Sequence, residues 1–127
     1  MALTTSPIAA KVNNVFIHVS NLHDSVKWYS ELLGLPMPEG KVESPVYNIP
    51  VTSTTGLTLD DHTFDPGFRF QAANHVLFNL YTENIDEAYD FLTSKGVEIV
   101  REIERFGDFA YFNFQDPDGN VLMICTN

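Results

Sequence analysis

An internal repeat governs what this 127-residue chain can become. Val15-Phe16-Ile17-His18-Val19 is rich in β-branched and aromatic residues and reads as a strand. Asn21 follows as an N-cap, with Asp24 three residues on as an acidic variant of the capping box. Leu22, Val26, Tyr29 and Leu33 then share one helical face, and Gly34 and Pro36 end the helix. The same order returns later. Val76 to Tyr81 reads as a strand, and Asn84 is an N-cap with Glu87 three residues on. Ile85, Ala88, Tyr89 and Leu92 form the apolar face, and Gly96 closes it. The two caps lie 84 − 21 = 63 residues apart, about half the chain.

Short strands follow each helix. After the first they are expected at Tyr47 to Val51 and Gly56 to Asp60, with a short piece near Pro38. After the second they are expected at Val97 to Arg101, Phe109 to Gln115 and Asn120 to Cys125. Asp116-Pro117-Asp118-Gly119 is turn chemistry joining the last two. The chain therefore reads as one domain, 1–127. It divides into a first module at about 12–61, a joint at about 62–74 and a second module at about 75–127. One copy alone buries too little surface to be stable. The copies must pack on each other, within the chain or with those of another chain.

Charge narrows the partners. Acids outnumber bases 17 to 7, for a net charge of −10. Nucleic acid and anionic membrane surfaces both need clustered Lys and Arg, so neither is an expected partner. No stretch approaches the roughly 20 apolar residues of a membrane span. Cys125 is the only cysteine, so no internal disulfide can form. Met1 to Lys11 has neither a long apolar run nor a basic leading region. A reducing, cytoplasmic setting is expected.

The run from Val15 to Leu22, then Ser25-Val26-Lys27-Trp28-Tyr29-Ser30-Glu31-Leu32-Leu33-Gly34-Leu35, and later Ala110 to Asn120 around the Asp-Pro-Asp-Gly turn, resembles the vicinal oxygen chelate superfamily. That superfamily includes glyoxalase I, extradiol dioxygenases, thiol-dependent fosfomycin resistance enzymes and bleomycin-binding proteins. The resemblance spans essentially the whole chain. It implies an α+β fold of two βαβββ modules whose mixed sheets curl into a cup, and a homodimer. It also implies a divalent metal at the cup mouth, held by His and Glu and acting on vicinal oxygens of a substrate. The matching positions here are altered. Asn14 stands where the first His is expected, and Met123 where the last Glu is expected. A third position falls at Leu59 or Asp60. A fourth falls at Leu77, or at His75 with a two-residue shift. Asn14 is a poor replacement for an imidazole ligand to a divalent metal, and a thioether does not suit a hard or borderline cation.

Strand parity assigns the remaining side chains. Asn14, Phe16 and His18 share one face, which lines the cup in the resembled fold, and Val15, Ile17 and Val19 take the other. Leu77, Asn79, Tyr81, Phe109, Tyr111, Asn113 and Met123 are inward residues of the second module. Phe78, Leu80, Phe112 and Phe114 face helices. Polar groups among aromatics are typical of a small-molecule site. The expected function is thus metal-free binding of a small molecule, with sequestration of a drug or metabolite as one version. A cationic ligand would suit the acidic charge. One alternative is a metal-dependent lyase, thiol transferase or dioxygenase. It would use His18, His75 and Asp60 to hold Zn, Ni, Mn or Fe. The other is a non-catalytic interaction module with a self-filled cup. Asp60, Asp61 and His62 are expected to be a solvated strand end, because consecutive strand residues point oppositely. Phe64, Phe68 and Phe70 in the joint are expected over the cup mouth, across a dimer interface or in a satellite core. Cys125 has no basic sequence neighbour to lower its pKa, and no catalytic residue is assigned.

Overall fold

A computed structural model describes residues 5–127. Residues 1–4, the start of the Met1–Lys11 stretch, lie outside the described part. The chain order is β1 (Asn14–His18), α1 (Leu22–Leu32), β2 (Val46–Ile49), β3 (Gly56–Asp60), β4 (Asn79–Tyr81), α2 (Ile85–Ser94), β5 (Ile99–Phe106), β6 (Phe109–Gln115) and β7 (Val121–Cys125).

The two helix starts repeat each other closely. Asn21 has φ −138° and ψ 107°, and its side chain accepts the Asp24 backbone N–H. Asn84 has φ −134° and ψ 107°, and accepts the N–H of Glu87. Each cap satisfies one of the donors that a helix start leaves unpaired. Just past the helix ends, Gly34 and Gly96 adopt φ of +69° and +75°.

The strands form two mixed sheets, ordered β1-β3-β2 and β4-β7-β6-β5. In each, the strand before the helix runs parallel to the last strand of its half. The piece near Pro38 is not a strand, and residues 35–45 contain none. Pro36, Pro38 and Pro45 cannot donate to a ladder. The first sheet therefore has three strands and the second four. The strand expected over Val76 to Tyr81 is regular only at its end. Before β4 the chain is held by isolated bonds, from Val121 N–H to Ala73 and from Leu77 N–H to Val121.

One core serves both halves. Ile17, Val19, Leu57 and Leu59 of the first sheet join Phe112, Phe114, Leu122 and Ile124 of the second, under Val26 and Tyr29 of α1 and Leu92 of α2. Trp28 of α1 packs toward Phe114, with ring centroids 6.3 Å apart. The modules therefore pair within the chain. The β6–β7 turn fastens them. Its Asp118 carboxylate accepts the Ser20 backbone N–H at 3.0 Å and the Ser20 hydroxyl. Asn120 Nδ2 donates to the carbonyl of His18 at 3.0 Å.

Candidate functional site

With the helices covering one face of each sheet, the opposite faces carry the polar and aromatic residues. On the first sheet Asn14, Phe16 and His18 lie in register with Gly56, Thr58 and Asp60. Asn14 Nδ2 donates to Thr58 Oγ1 at 2.7 Å, and Thr58 donates onward to Asn48 Oδ1 at 2.6 Å. Gly56 makes room for this chain of bonds, since a Cβ there would sit 2.6 Å from Asn14 Nδ2. Phe16 is half exposed beside it. The register also decides between Leu59 and Asp60. Leu59 is fully buried in the core, and Asp60 pairs with His18 on the helix-free side.

The strand ends at Asp60, and the chain does not stay extended. His62 has φ +58°, the left-handed region that a side chain other than glycine enters at a cost. Its backbone N–H bonds back to Asp60 Oδ1 at 2.8 Å. This turn swings the imidazole over β1. His62 Nε2 lies 2.5 Å from His18 Nδ1 and 3.8 Å from Asp60 Oδ2. The Phe68 ring lies nearly parallel on His62, with centroids 3.7 Å apart. Asp61 turns elsewhere, accepting the hydroxyls of Ser44 and Thr63. The solvated strand end expected for Asp60 to His62 is thus corrected: Asp60 and His62 are largely buried and meet at His18, and only Asp61 points away. The joint aromatics also have a place, with Phe68 over this end of the face and Phe64 and Phe70 exposed.

Electrostatics follow from these contacts. Desolvation lowers the His18 pKa, the nearby His62 lowers it further, and Asp60 opposes both. For Asp61, partial desolvation pushes upward, but hydrogen bonds from Ser44 and Thr63 win and its pKa is lowered.

The second sheet supplies an aromatic wall. Asn79, Met123 and Asn113 are successive register neighbours, and Tyr81, Cys125 and Tyr111 form the next row. Tyr111 stacks on Phe106 with centroids 6.2 Å apart, and Phe109 lies 5.9 Å from Tyr111. Asn113 Oδ1 is buried and accepts no hydrogen bond among the described residues. Leu77, by contrast, packs against the core.

These placements bear on the metal expectation. Among the described residues, no three His, Cys, Asp or Glu side chains are gathered to hold a metal ion. His75 is exposed and contacts Asn74 Oδ1 at 3.4 Å, so His18, His75 and Asp60 are not assembled as one set. His18 and Asp60 meet His62 instead. Asn14 is committed to Thr58, and Met123 offers a thioether, so the donors at the resembled positions do not fit a divalent cation. The helix-free face is open. A cleft of about 440 Å³ at the seam is lined by Leu33, Leu35 and Val51 together with Asn79 and Tyr81 of the second sheet, and one of about 280 Å³ lies between the helices at Trp28 and Lys95. Thr58, Asn48, His62, Phe68 and Phe106 were not among the expected site residues. Parity alone would have found Thr58, two residues from Asp60.

Residues 11–124 match the family described as the Glyoxalase/Bleomycin resistance protein/Dioxygenase superfamily. A solved member of that superfamily from Sphaerobacter thermophilus DSM 20745 is 24% identical, with a TM-score of 0.72, over 94% of this chain and 98% of its own. A lactoylglutathione lyase from Agrobacterium tumefaciens is 16% identical, with a TM-score of 0.68, over 96% of each chain. The oxidase ChaP-H1 is 20% identical, with a TM-score of 0.68, over 94% of this chain and 97% of its own. At these identities the likeness establishes the fold. No curated protein matches the sequence.

Proposed function

As the chain belongs to the Glyoxalase/Bleomycin resistance protein/Dioxygenase superfamily, we propose that it uses the family's cup to bind a small planar organic molecule without a metal at the usual positions. Sequestration of a drug or metabolite is the form of activity this reading favours, in a reducing cytoplasm and as a homodimer. The observation that carries it is Asn113 Oδ1, buried without a donor beside Tyr111 and Met123. An unmet buried acceptor costs about 1–3 kcal/mol. A ligand N–H or O–H donated to Asn113 would remove that cost while its ring lies against Tyr111, Phe109 and Phe106. No step is routed through a metal, because Asn14 and Met123 do not supply its ligands.

The test separates binding from stability. A panel of flat aromatic probes (indole, quinoline and 4-nitrophenol) is titrated while amide and side-chain NMR shifts are followed. Shifts should centre on Tyr111, Asn113 and Met123. Asn113→Leu keeps the branching at Cγ and removes the unmet acceptor. It should leave stability equal or higher and weaken binding about fivefold, the equivalent of about 1 kcal/mol. Unchanged binding in Asn113→Leu, or shifts that avoid these residues, would sink the reading. So would stoichiometric Zn, Ni, Mn or Fe in untagged protein that is lost on His75→Ala.

A further inference from the structure

At the far end of β1 lies a cluster that the wall around Asn113 does not use. His18, His62 and Asp60 come from β1, the left-handed turn and the end of β3. His18 Nδ1 and His62 Nε2 face each other within hydrogen-bond distance, so one of the two can donate to the other. The Asp60 and His62 side chains are only 9% and 13% exposed. Asp60 Oδ2 lies at ion-pair distance from His62 Nε2, close enough to stabilise positive charge on the pair. His18 Nε2 has no hydrogen-bond partner among the described residues. Beside it are the half-exposed ring of Phe16, two residues away on the same strand face, and Phe68, 5.8 Å from the His18 ring. A turn at φ +58° would not persist unless its surroundings held it. Here they do so with the ring stack on Phe68 and the bond to Asp60.

We propose that Asp60, His62 and His18 form a charge relay, in which His18 Nε2 takes the proton of a planar ligand carrying a weakly acidic O–H or N–H group. This rests on the reading that the helix-free face receives planar molecules. It adds that binding is coupled to ionisation of the ligand. In the tautomer that does this, His18 Nδ1–H donates to His62 Nε2, which leaves the His18 lone pair at Nε2. The ligand's O–H bond breaks and its electron pair stays on the ligand oxygen. An N–H bond forms at His18 Nε2, and the positive charge spreads over the two imidazoles toward Asp60. His18 is the residue that touches the ligand, and His62 and Asp60 position and charge-balance it. The other charged group nearby, Asp61, is turned away by Ser44 and Thr63. The lowered His18 pKa keeps the imidazole neutral before binding, and the ligand anion formed beside it, with Asp60, then supplies the counter-charge for the imidazolium.

The probe is 4-nitrophenol, whose ionised form absorbs in the visible. It is titrated with EDTA-treated protein at a mildly acidic pH where the free probe is mostly neutral, and binding is measured in parallel by equilibrium dialysis. The relay should raise the acid dissociation constant of the bound probe about tenfold, so the ionised band grows on binding. His18→Gln should abolish that gain. His62→Asn, chosen because Asn tolerates the left-handed region, should reduce it while far-UV circular dichroism stays unchanged. In ring ¹⁵N spectra, neutral His18 should show Nδ1 protonated and Nε2 bare in the parent protein, and His62→Asn should lose that tautomer bias. Probe that binds with its neutral band retained would overturn the relay and leave the cup reading standing. Failure to bind at all would overturn the relay, while the NMR panel judges the cup separately. An ionised band that survives His18→Gln, or that appears only with added Zn²⁺ and vanishes with EDTA, would also overturn it.

Discussion

Tyr29 shows how much one side chain can join. It is fully buried in α1, and its hydroxyl donates to Asp116 Oδ2 at 2.6 Å, 87 residues along the chain. The same carboxylate accepts the backbone N–H groups of Asp118 and Asn120 and the side-chain amide of Asn120. A hydrogen bond to a charged group contributes about 1.5–3 kcal/mol. Tyr29→Phe should lower stability by about that much in urea unfolding at pH 7. The pH profile gives a second signature. Burial first, and then the Asp116 charge, push the Tyr29 pKa well above its ordinary value. Its contribution is therefore complete below about pH 10, where the unfolded phenol ionises, and is lost as pH rises further. Tyr29→Phe should show a shallower alkaline decline than the parent. Equal slopes would mean that the buried phenol does not govern that limb. At this same scale His62 marks what parity could not reach. Phe16 and His18 share one face of β1 because the strand is regular through both. The left-handed turn at His62 was beyond parity, because nothing in the identity of a histidine announces a positive φ.

The elements were legible where their signals are local. Both helices start one residue after the asparagine that caps them. Asn21→Ala and Asn84→Ala should each cost about 1 kcal/mol in thermal or chemical unfolding. The double variant should cost about the sum, because the two caps share no partner. A clear excess over additivity would mean that the helix starts are coupled. Strands were legible in order but not in extent. β5 runs to Phe106, well past the expected Arg101, because its pairing with β6 resumes at Glu104 and Arg105 after a register shift. A run so charged has no apolar alternation to read. It suits a sheet edge, where charge and the two register shifts along β5 discourage further pairing. The stretch near Pro38 erred the other way, since its prolines removed the donors a fourth strand would need.

The whole molecule resolves a choice the sequence left open. The repeat required each half to find a partner, and the shared core supplies it within one chain. The homodimer is thus a proposal about two complete cups. Sedimentation should give a mass twice the 14.3 kDa of the chain. A mass near 14.3 kDa would refute the dimer and leave each cup intact. No helix of the described residues is long and apolar enough to cross a membrane. The fastening of Ser20 to Asp118, with Asn120 reaching the His18 carbonyl, has its own consequence. The halves recognise each other through contacts that do not involve the exposed Asp65-Pro66-Gly67 stretch between them. Severing the chain there would remove no bond of the fastening. It would turn folding into an association of two fragments, with an affinity set by the shared core. The intact linker would then be understood as supplying effective concentration rather than shape.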